Sequence, residues 1–203
     1  MIVAPRKALG TNSHLTRERQ IEIEIIVKEI IEDYDLVQYP QSIQRAAEAL
    51  GITLTPYSSL DAGHRDIARA ASDDAFNITT PDMMTAAIAF EDVAGSMFER
   101  ARFSGGHELG HIVLEHAEGD PNKEAEADFF SGYFLAPHPL VVRTPSGVSI
   151  AEKFGISASC AQFARDQAAD RYREGGPWLP HERWILDHAV WKGVVCLRGL
   201  REM

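Results

Sequence analysis

The stretch His107-Glu108-Leu109-Gly110-His111 contains the side chains of this sequence that are best suited to chemistry. In a helix, His107 and His111 lie on one face about 6 Å apart along the axis, so both rings can reach one metal ion. Glu108 projects beside that pair, where it can take a proton from a water molecule activated by the metal. The HExxH spacing therefore predicts two zinc ligands, His107 and His111, and a general base, Glu108.

An acidic segment, EAEAD at residues 124–128, lies on the next predicted helix, which extends from about 122 to 135 after an Asp120-Pro121 start signal. Glu124 and Asp128 share one helix face, so one carboxylate can bind the metal while the other accepts the free ring N–H of a ligand histidine. We predict Glu124 as the third ligand and Asp128 as the histidine's partner. Glu126 stays an alternative third ligand, because helix phase cannot be read from sequence to within one residue.

Two further side chains near the motif are excluded as ligands by distance. Glu115 lies four residues beyond His111, about another 6 Å along the same helix, and His116 has the same difficulty. The metzincin pattern requires a glycine and a histidine at set spacings after HExxH, where this chain has Leu114 and Ala117. That class of metalloprotease is excluded.

The helix that must carry the HExxH residues is predicted from about 97 to 116. Ser96 and Glu99 have the spacing of a capping box at its start. Gly105 and Gly106 each cost a helix about 1 kcal/mol relative to alanine. This cost indicates that another segment packs closely against the helix at these positions.

The segments before that helix predict a further helix and a small sheet. Residues 17–33 have helical periodicity, and residues 42–50 form a second, short helix. Short strands are predicted at 52–57, 75–79 and 85–90, separated by turn-rich segments. The sequence thus predicts an α+β fold, mainly helical, with a small antiparallel or mixed sheet preceding the HExxH helix.

Two motifs resemble those of the ImmA/IrrE metallopeptidases, bacterial and phage proteins related in their active site to thermolysin-type zinc peptidases. Residues 102–111, RFSGGHELGH, resemble the family's Arg-Phe-Thr-x-Ala-His-Glu-Leu-Gly-His. Residues 124–137, EAEADFFSGYFLAP, resemble its Glu-x-Glu-Ala-Asn-x-Phe-Ala-x-x-Leu-Leu-Met-Pro in unbroken register. The chain departs from the family at Asp128, where asparagine is usual, at Gly106, where alanine is usual, and at Glu115-His116, where a single histidine is common. None of these departures removes a ligand or the base.

The resemblance implies a zincin-type peptidase fold and a zinc-dependent endopeptidase. Its substrate would be a helix-turn-helix repressor encoded nearby, cleaved to induce a phage, a mobile element or a stress response. Taken alone, the residues support metal-assisted hydrolysis of an amide bond. An oxyanion donor is also needed, and Tyr133, His138, Tyr172 and His181 are the candidates among which sequence does not choose.

The sequence divides into three predicted regions: a flexible tail at 1–15, a metallopeptidase domain at 16–145, and a helical subdomain at 146–203 packed on it. Residues 149–157 and the segment after them resemble a helix-turn-helix with Gly155 in the turn. This favours a rival hypothesis, a DNA-binding regulator whose zinc is structural. A third hypothesis is an antirepressor that sequesters a repressor without cleaving it, against which the intact Glu108 counts.

Charge and apolar patterning limit the partners and the compartment. The net charge of −10 argues against general nucleic-acid binding and suits a basic protein partner. No apolar run approaches the roughly 18 residues of a membrane span, and residues 1–17 lack a signal-peptide core, so we expect a cytoplasmic protein. Cys160 and Cys196 have no metal-binding spacing and are expected to be reduced thiols.

Overall fold

The computed structural model describes residues 15–79, 86–92, 98–117 and 120–192, which form a mainly helical α+β fold. The helices are α1 Arg17–Asp33, α2 Ile43–Ala49, α3 Ala62–Ala71, α4 Phe98–Val113, α5 Lys123–Leu135, α6 His138–Val142, α7 Ile150–Phe154, α8 Ala158–Glu174 and α9 Pro180–His188. The strands are β1 Gln38–Tyr39, β2 Thr53–Pro56, β3 Ala75–Thr79, β4 Ala86–Phe90 and β5 Val190–Trp191. The predicted mainly helical α+β class and the small sheet before α4 are confirmed.

The sheet before α4 has three strands in the order β2-β4-β3. Strand β4 pairs parallel with β2 and antiparallel with β3, so the sheet is mixed. Helix α3, between β2 and β3, lies where only turns were predicted. Asp61 begins α3 by accepting a hydrogen bond from the backbone N–H of His64 at 3.0 Å, a standard N-cap.

Helix α1 has the predicted bounds and provides one wall of the core. Thr16 caps it by accepting from the backbone N–H of Arg19. Ile23, Val27 and Ile31, spaced four residues apart, are buried on one face of the helix, whereas Ile25 is exposed. One continuous core joins α1 to the later helices, with buried residues that include Phe130 and Phe134 of α5, Phe154 of α7, Ala161 and Ala164 of α8 and Ile185 of α9. Strand β1 also pairs parallel with β5, which joins the N-terminal part of the fold to the predicted C-terminal subdomain.

Helices α4 and α5 approach closely because α4 has glycine at the contact. A Cβ added to Gly106 would lie 2.5 Å from the Ser131 hydroxyl oxygen of α5. At Gly110 it would lie 3.2 Å from the Cα of Ala127. Ser131 also donates a hydrogen bond of 2.8 Å to the carbonyl of Phe103. The predicted close packing at Gly106 is confirmed, and it brings the functional faces of the two helices together.

The ends of α4 and α5 differ from the prediction. Helix α4 ends at Val113, three residues earlier than predicted, and Ser96 of the proposed capping box lies outside the described residues. Helix α5 begins at Lys123, so Asp120 and Pro121 do not start it. Asp120 instead accepts a hydrogen bond from the backbone N–H of Asn122, which forms a turn ahead of the helix.

The predicted turned helical pair is present as α7 and α8. Gly155 ends α7 in the left-handed conformation, with φ of +61°. The buried guanidinium of Arg102 fixes this turn to α4, because it donates to the carbonyl oxygens of Phe154, at 3.0 Å, and of Gly155. It also donates to the carbonyl of Gln41 at 2.5 Å. Arg102, in the motif that resembles the peptidase family, thus has a structural role.

Within the described residues, no helix combines the length and apolarity needed to cross a bilayer. Cys160 is a free, buried thiol, and burial raises its pKa to about 12. A thiol held protonated in this way is unreactive at neutral pH. Cys196 lies outside the described residues.

Candidate metal centre

Three of the predicted ligands meet at the contact between α4 and α5. The Nε2 atoms of His107 and His111 are 2.9 Å apart. Carboxylate oxygens of Glu124 lie 3.4 Å from Nε2 of His107 and 3.7 Å from Nε2 of His111. One ligand atom from each of these residues lies within 4.8 Å of the others, so they can hold one metal ion. We call His107, His111 and Glu124 the open site.

Asp128 holds His107 in the orientation predicted from sequence. Its Oδ1 lies 2.7 Å from Nδ1 of His107. An ionised carboxylate only accepts hydrogen bonds, so we assign the ring proton of His107 to Nδ1. The lone pair of Nε2 is then directed at the open site, as a ligand histidine requires.

Glu126, the alternative third ligand, is directed away from the histidine pair. Its Oε2 accepts from Arg19 Nη2 at 2.6 Å and lies 3.2 Å from Nε2 of His116. The hydrogen bond from Arg19 is the main cause that lowers the pKa of Glu126, opposed by burial. Of the two candidate carboxylates, the structure brings Glu124 to the histidines.

His116 returns to His111 because the chain turns sharply after α4. The backbone N–H of His116 donates to the carbonyl of His111 at 3.1 Å, and that of Glu115 donates to Ile112 at 3.2 Å. Glu115 adopts φ of +53° between them. These features define a Schellman turn, with glutamate at the position that glycine usually occupies. The turn places Nδ1 of His116 2.9 Å from Nδ1 of His111, while burial lowers the pKa of His116.

The predicted general base has a partner that sequence reasoning missed. Glu108 is buried, and its Oε2 accepts a hydrogen bond of 2.6 Å from the side-chain amide of Asn77 on β3. The available signal was weak, a polar residue in the otherwise apolar centre of the segment AFNI. The contact orients the carboxylate of Glu108 and places β3 alongside the open site.

Glu124 makes the open site accessible to solvent. Its side chain is 64% exposed, although both neighbouring histidines are mostly buried. Contacts with His107 first and His111 second lower the pKa of Glu124. The carboxylate is therefore ionised at neutral pH, which is the form that binds metal.

The candidate oxyanion donors are not brought to the open site. His138 is buried, with Nε2 3.0 Å from the Glu182 carboxylate, and His181 is directed at Glu24 at 2.8 Å. Tyr133 is fully buried, with its ring 5.0 Å from that of His138. Burial first and the charge of Glu24 second raise its pKa well above 10. Tyr172 lies on the exposed face of α8.

Three of the buried side chains form a second cluster whose donor atoms could also bind a metal ion. Glu24, His138 and Glu182 each have a potential ligand atom within 4.8 Å of the others, and we call them the sealed cluster. Two arginines already neutralise its carboxylates. Arg171 donates to both oxygens of Glu182, at 2.7 and 2.9 Å, and Arg17 donates to Glu24 at 2.5 Å.

A groove of about 1250 Å³ lies elsewhere, between α2, β2 and the first half of α4. The described residues that line it include apolar side chains such as Ile43, Ile52 and Leu54, together with a larger number of polar and charged ones, and none is an open-site ligand. Two of the five acidic residues that line it form ion pairs, Asp74 with Arg100 and Glu91 with Arg69. We assign no chemistry to this groove.

Comparisons of the chain with models of protein families, with curated proteins and with solved structures gave no match. The case for a function therefore depends on the geometry of the site.

Proposed function

We propose that the protein is a zinc-dependent endopeptidase with a zincin-type catalytic site. The single observation that carries this proposal is the convergence of His107, His111 and Glu124, with the buried Glu108 one residue from a ligand. A structural metal site has no use for a base beside an open coordination position. The solvent-accessible Glu124 side of the site is consistent with an open position.

The donor set suits zinc in type and spacing. Two imidazole nitrogens and a carboxylate form one of the common catalytic zinc sets. Ligand atoms at the corners of a tetrahedron about 2.0–2.1 Å from zinc are about 3.3 Å apart. The separations of 2.9, 3.4 and 3.7 Å bracket that value. His107, His111 and Glu124 would hold the ion.

The residues around the ion divide the remaining tasks. When bound, zinc supplies a Lewis acid that lowers the pKa of water toward about 7 and polarises a carbonyl. Glu108 takes the proton from the attacking water and delivers it to the leaving nitrogen. Asn77 holds Oε2 of Glu108, so the base needs little reorganisation. Asp128 keeps the lone pair of His107 directed at the open site.

Strand β3 supplies a place for an extended peptide. In the described part of the sheet, β3 has a strand neighbour on one side, β4, and it carries Asn77 at the base. An extended peptide added at the other edge would be held by main-chain hydrogen bonds next to Glu108. This supports a peptide substrate. By the family resemblance, that substrate is a regulatory protein, a helix-turn-helix repressor.

Two alternatives predict different behaviour. A sequestering antirepressor would bind the repressor without cleaving it. A DNA-binding regulator would use α7 and α8, but the exposed face of α8 has Arg165 and Arg173 against Asp166, Asp170 and Glu174. That face lacks the excess positive charge that DNA binding requires.

One experiment separates the three hypotheses. The purified protein is incubated with the repressor encoded nearest its gene, with and without a chelator, as wild type, Glu108→Gln and Glu115→Gln. We expect chelator-sensitive fragments from wild type and from Glu115→Gln, an exposed control at the end of α4. Glu108→Gln should bind zinc normally but lose at least about 100-fold in cleavage rate. A stable complex without fragments favours sequestration, and specific, salt-sensitive DNA binding in a gel shift favours the regulator.

A further inference from the structure

The two histidines of the open site are held in different ways. His107 contacts a carboxylate directly, Asp128. His111 contacts a second histidine, His116, whose other nitrogen lies 3.2 Å from Glu126. Glu126 in turn accepts a 2.6 Å hydrogen bond from Arg19 of α1. The chain of contacts thus leads from the open site to a helix about 90 residues earlier in the sequence.

The proton positions in this chain have one arrangement compatible with metal binding. Glu126 is an acceptor, so Nε2 of His116 donates to it, and Nδ1 of a neutral His116 is left as an acceptor. Nδ1 of His111 then donates to that nitrogen. Nε2 of His111 is left with its lone pair directed at His107 and Glu124, where the ion is expected.

Two features of the fold hold His116 beside His111: the turn at Glu115 and the burial of the contact between His116 and Glu126. Glu115 takes a left-handed conformation, which is unfavourable for a residue with a Cβ. The side chains of His116 and Glu126 are 2% and 8% exposed, so their contact is protected from solvent. By contrast Glu22, the other partner of Arg19, is 60% exposed. A contact that served only as a surface ion pair would require neither the left-handed turn at Glu115 nor the burial of His116 and Glu126.

We infer that His116 and Glu126 are positioning residues for His111, and that Arg19 fixes Glu126 in place. This inference deepens the proposed function and rests on it, since it assumes that His111 binds a metal ion. It predicts that hydrogen bonds outside the ligand set control zinc affinity, as partners of ligand histidines generally do. It also assigns separate roles to the two glutamates of the EAEAD segment: Glu124 binds metal and Glu126 orients a ligand.

Zinc affinity of the metal-free protein, measured by competition with a chromophoric chelator, tests the inference. Glu126→Gln and His116→Leu should each weaken zinc binding about 10–100-fold. Glu22→Gln, which removes the exposed partner of Arg19, should change the affinity less than about twofold. His116→Gln should retain more affinity than His116→Leu, because its amide can accept from His111 and donate to Glu126. Cobalt(II) absorption spectra should change in the weakened variants and not in Glu22→Gln.

The outcomes separate failure of this inference from failure of the proposed function. If wild type binds no zinc, the proposed function fails. If wild type binds one zinc and Glu126→Gln binds it equally well, His116 and Glu126 do not position His111. If Glu126→Gln loses zinc as completely as Glu124→Gln, Glu126 is a ligand and the inference is overturned. Circular dichroism of the metal-free variants checks folding. If Glu126→Gln unfolds, Arg19→Met tests the contact between Arg19 and Glu126 instead. It should lose less zinc affinity than is expected for Glu126→Gln.

Discussion

The open site and the sealed cluster bring the same kinds of donor atoms within 4.8 Å, yet their surroundings are opposite. In the open site, the partners of Glu124 are two histidine rings, and its carboxylate reaches solvent. In the sealed cluster, Glu24 and Glu182 have no exposed side-chain surface and are paired with arginines. A metal ion there would have to displace a guanidinium and lie close to another cation.

Proximity of ligand atoms does not by itself define a metal site. The groups that neutralise the carboxylates determine whether a metal ion can bind. Arg171 already supplies Glu182 with a two-point ion pair, and the Leu179 N–H adds a hydrogen bond of 2.6 Å. We therefore interpret the sealed cluster as an ion-pair network that joins α1, α6, α8 and α9. Among the described residues no arginine contacts Glu124, so the open site has the charge left to bind a cation.

Removing an arginine from the sealed cluster should have the largest effect on stability. Arg171→Met leaves the Glu182 carboxylate buried without its ion pair, which costs about 3–5 kcal/mol. Urea unfolding of the metal-free protein measures this loss. The matched control is Arg173→Met on the same helix, whose side chain is 74% exposed and paired with Asp170, and whose loss should cost less than about 1 kcal/mol. Equal effects of the two variants would contradict the interpretation of the cluster.

The sealed cluster should also give a specific acid dependence. Burial raises the pKa of Glu182, but hydrogen bonds from His138, Arg171 and the Leu179 N–H outweigh it and lower the pKa to about 2. Because the pKa of Glu182 is lower in the folded state, its ionised carboxylate stabilises the fold at pH values above the unfolded pKa of about 4.3. That stabilisation is lost as pH falls toward about 2.

The measurement is the difference in unfolding free energy between wild type and Glu182→Gln. We expect this difference to shrink by about 2 kcal/mol between pH 6 and pH 3. Glu22→Gln, at an exposed position, serves as the control for the loss of a carboxylate. A difference that stays constant with pH would contradict the lowered pKa.

Local signals were sufficient to predict the open site and its neighbour Asp128, but not the supports that come from distant segments. The HExxH spacing and the i, i+4 relation of Glu124 and Asp128 are properties of single helices, so sequence reveals them. Asn77 reaches Glu108 from 31 residues away and Arg19 reaches Glu126 from 107 residues away. No local pattern encodes those pairings, because they depend on how the sheet and α1 pack.

His116 illustrates how a correct local argument can still miss a role. Distance along a straight helix excludes it as a ligand, and the structure keeps it outside the ligand group. The helix ends at Val113, however, and the left-handed Glu115 turns the chain back. His116 thereby reaches the other nitrogen of His111. A glutamate at a position that favours glycine carries no sequence signal for such a turn.

The conformation of the turn after α4 can be tested by a substitution at Glu115, which should have the smallest effect. Glu115→Gly removes the strain of a left-handed residue with a Cβ at an exposed position, while glycine adds an entropy cost in the unfolded chain. The net effect should stabilise the metal-free protein by about 0.5–1 kcal/mol. Zinc affinity should stay within about twofold, because the Schellman turn and His116 are retained. Thermal unfolding and the chelator competition measure the two effects. Destabilisation would mean that the turn does not have this conformation.

The central claim is that the open site, and not the sealed cluster, binds one zinc ion. Anomalous diffraction at the zinc edge, from crystals grown with one equivalent of zinc, tests it most directly. We expect one strong peak about 2.0–2.2 Å from Nε2 of His107, Nε2 of His111 and a carboxylate oxygen of Glu124, and no such peak in Glu124→Gln. A peak among Glu24, His138 and Glu182, or none at the histidine pair, would contradict the account.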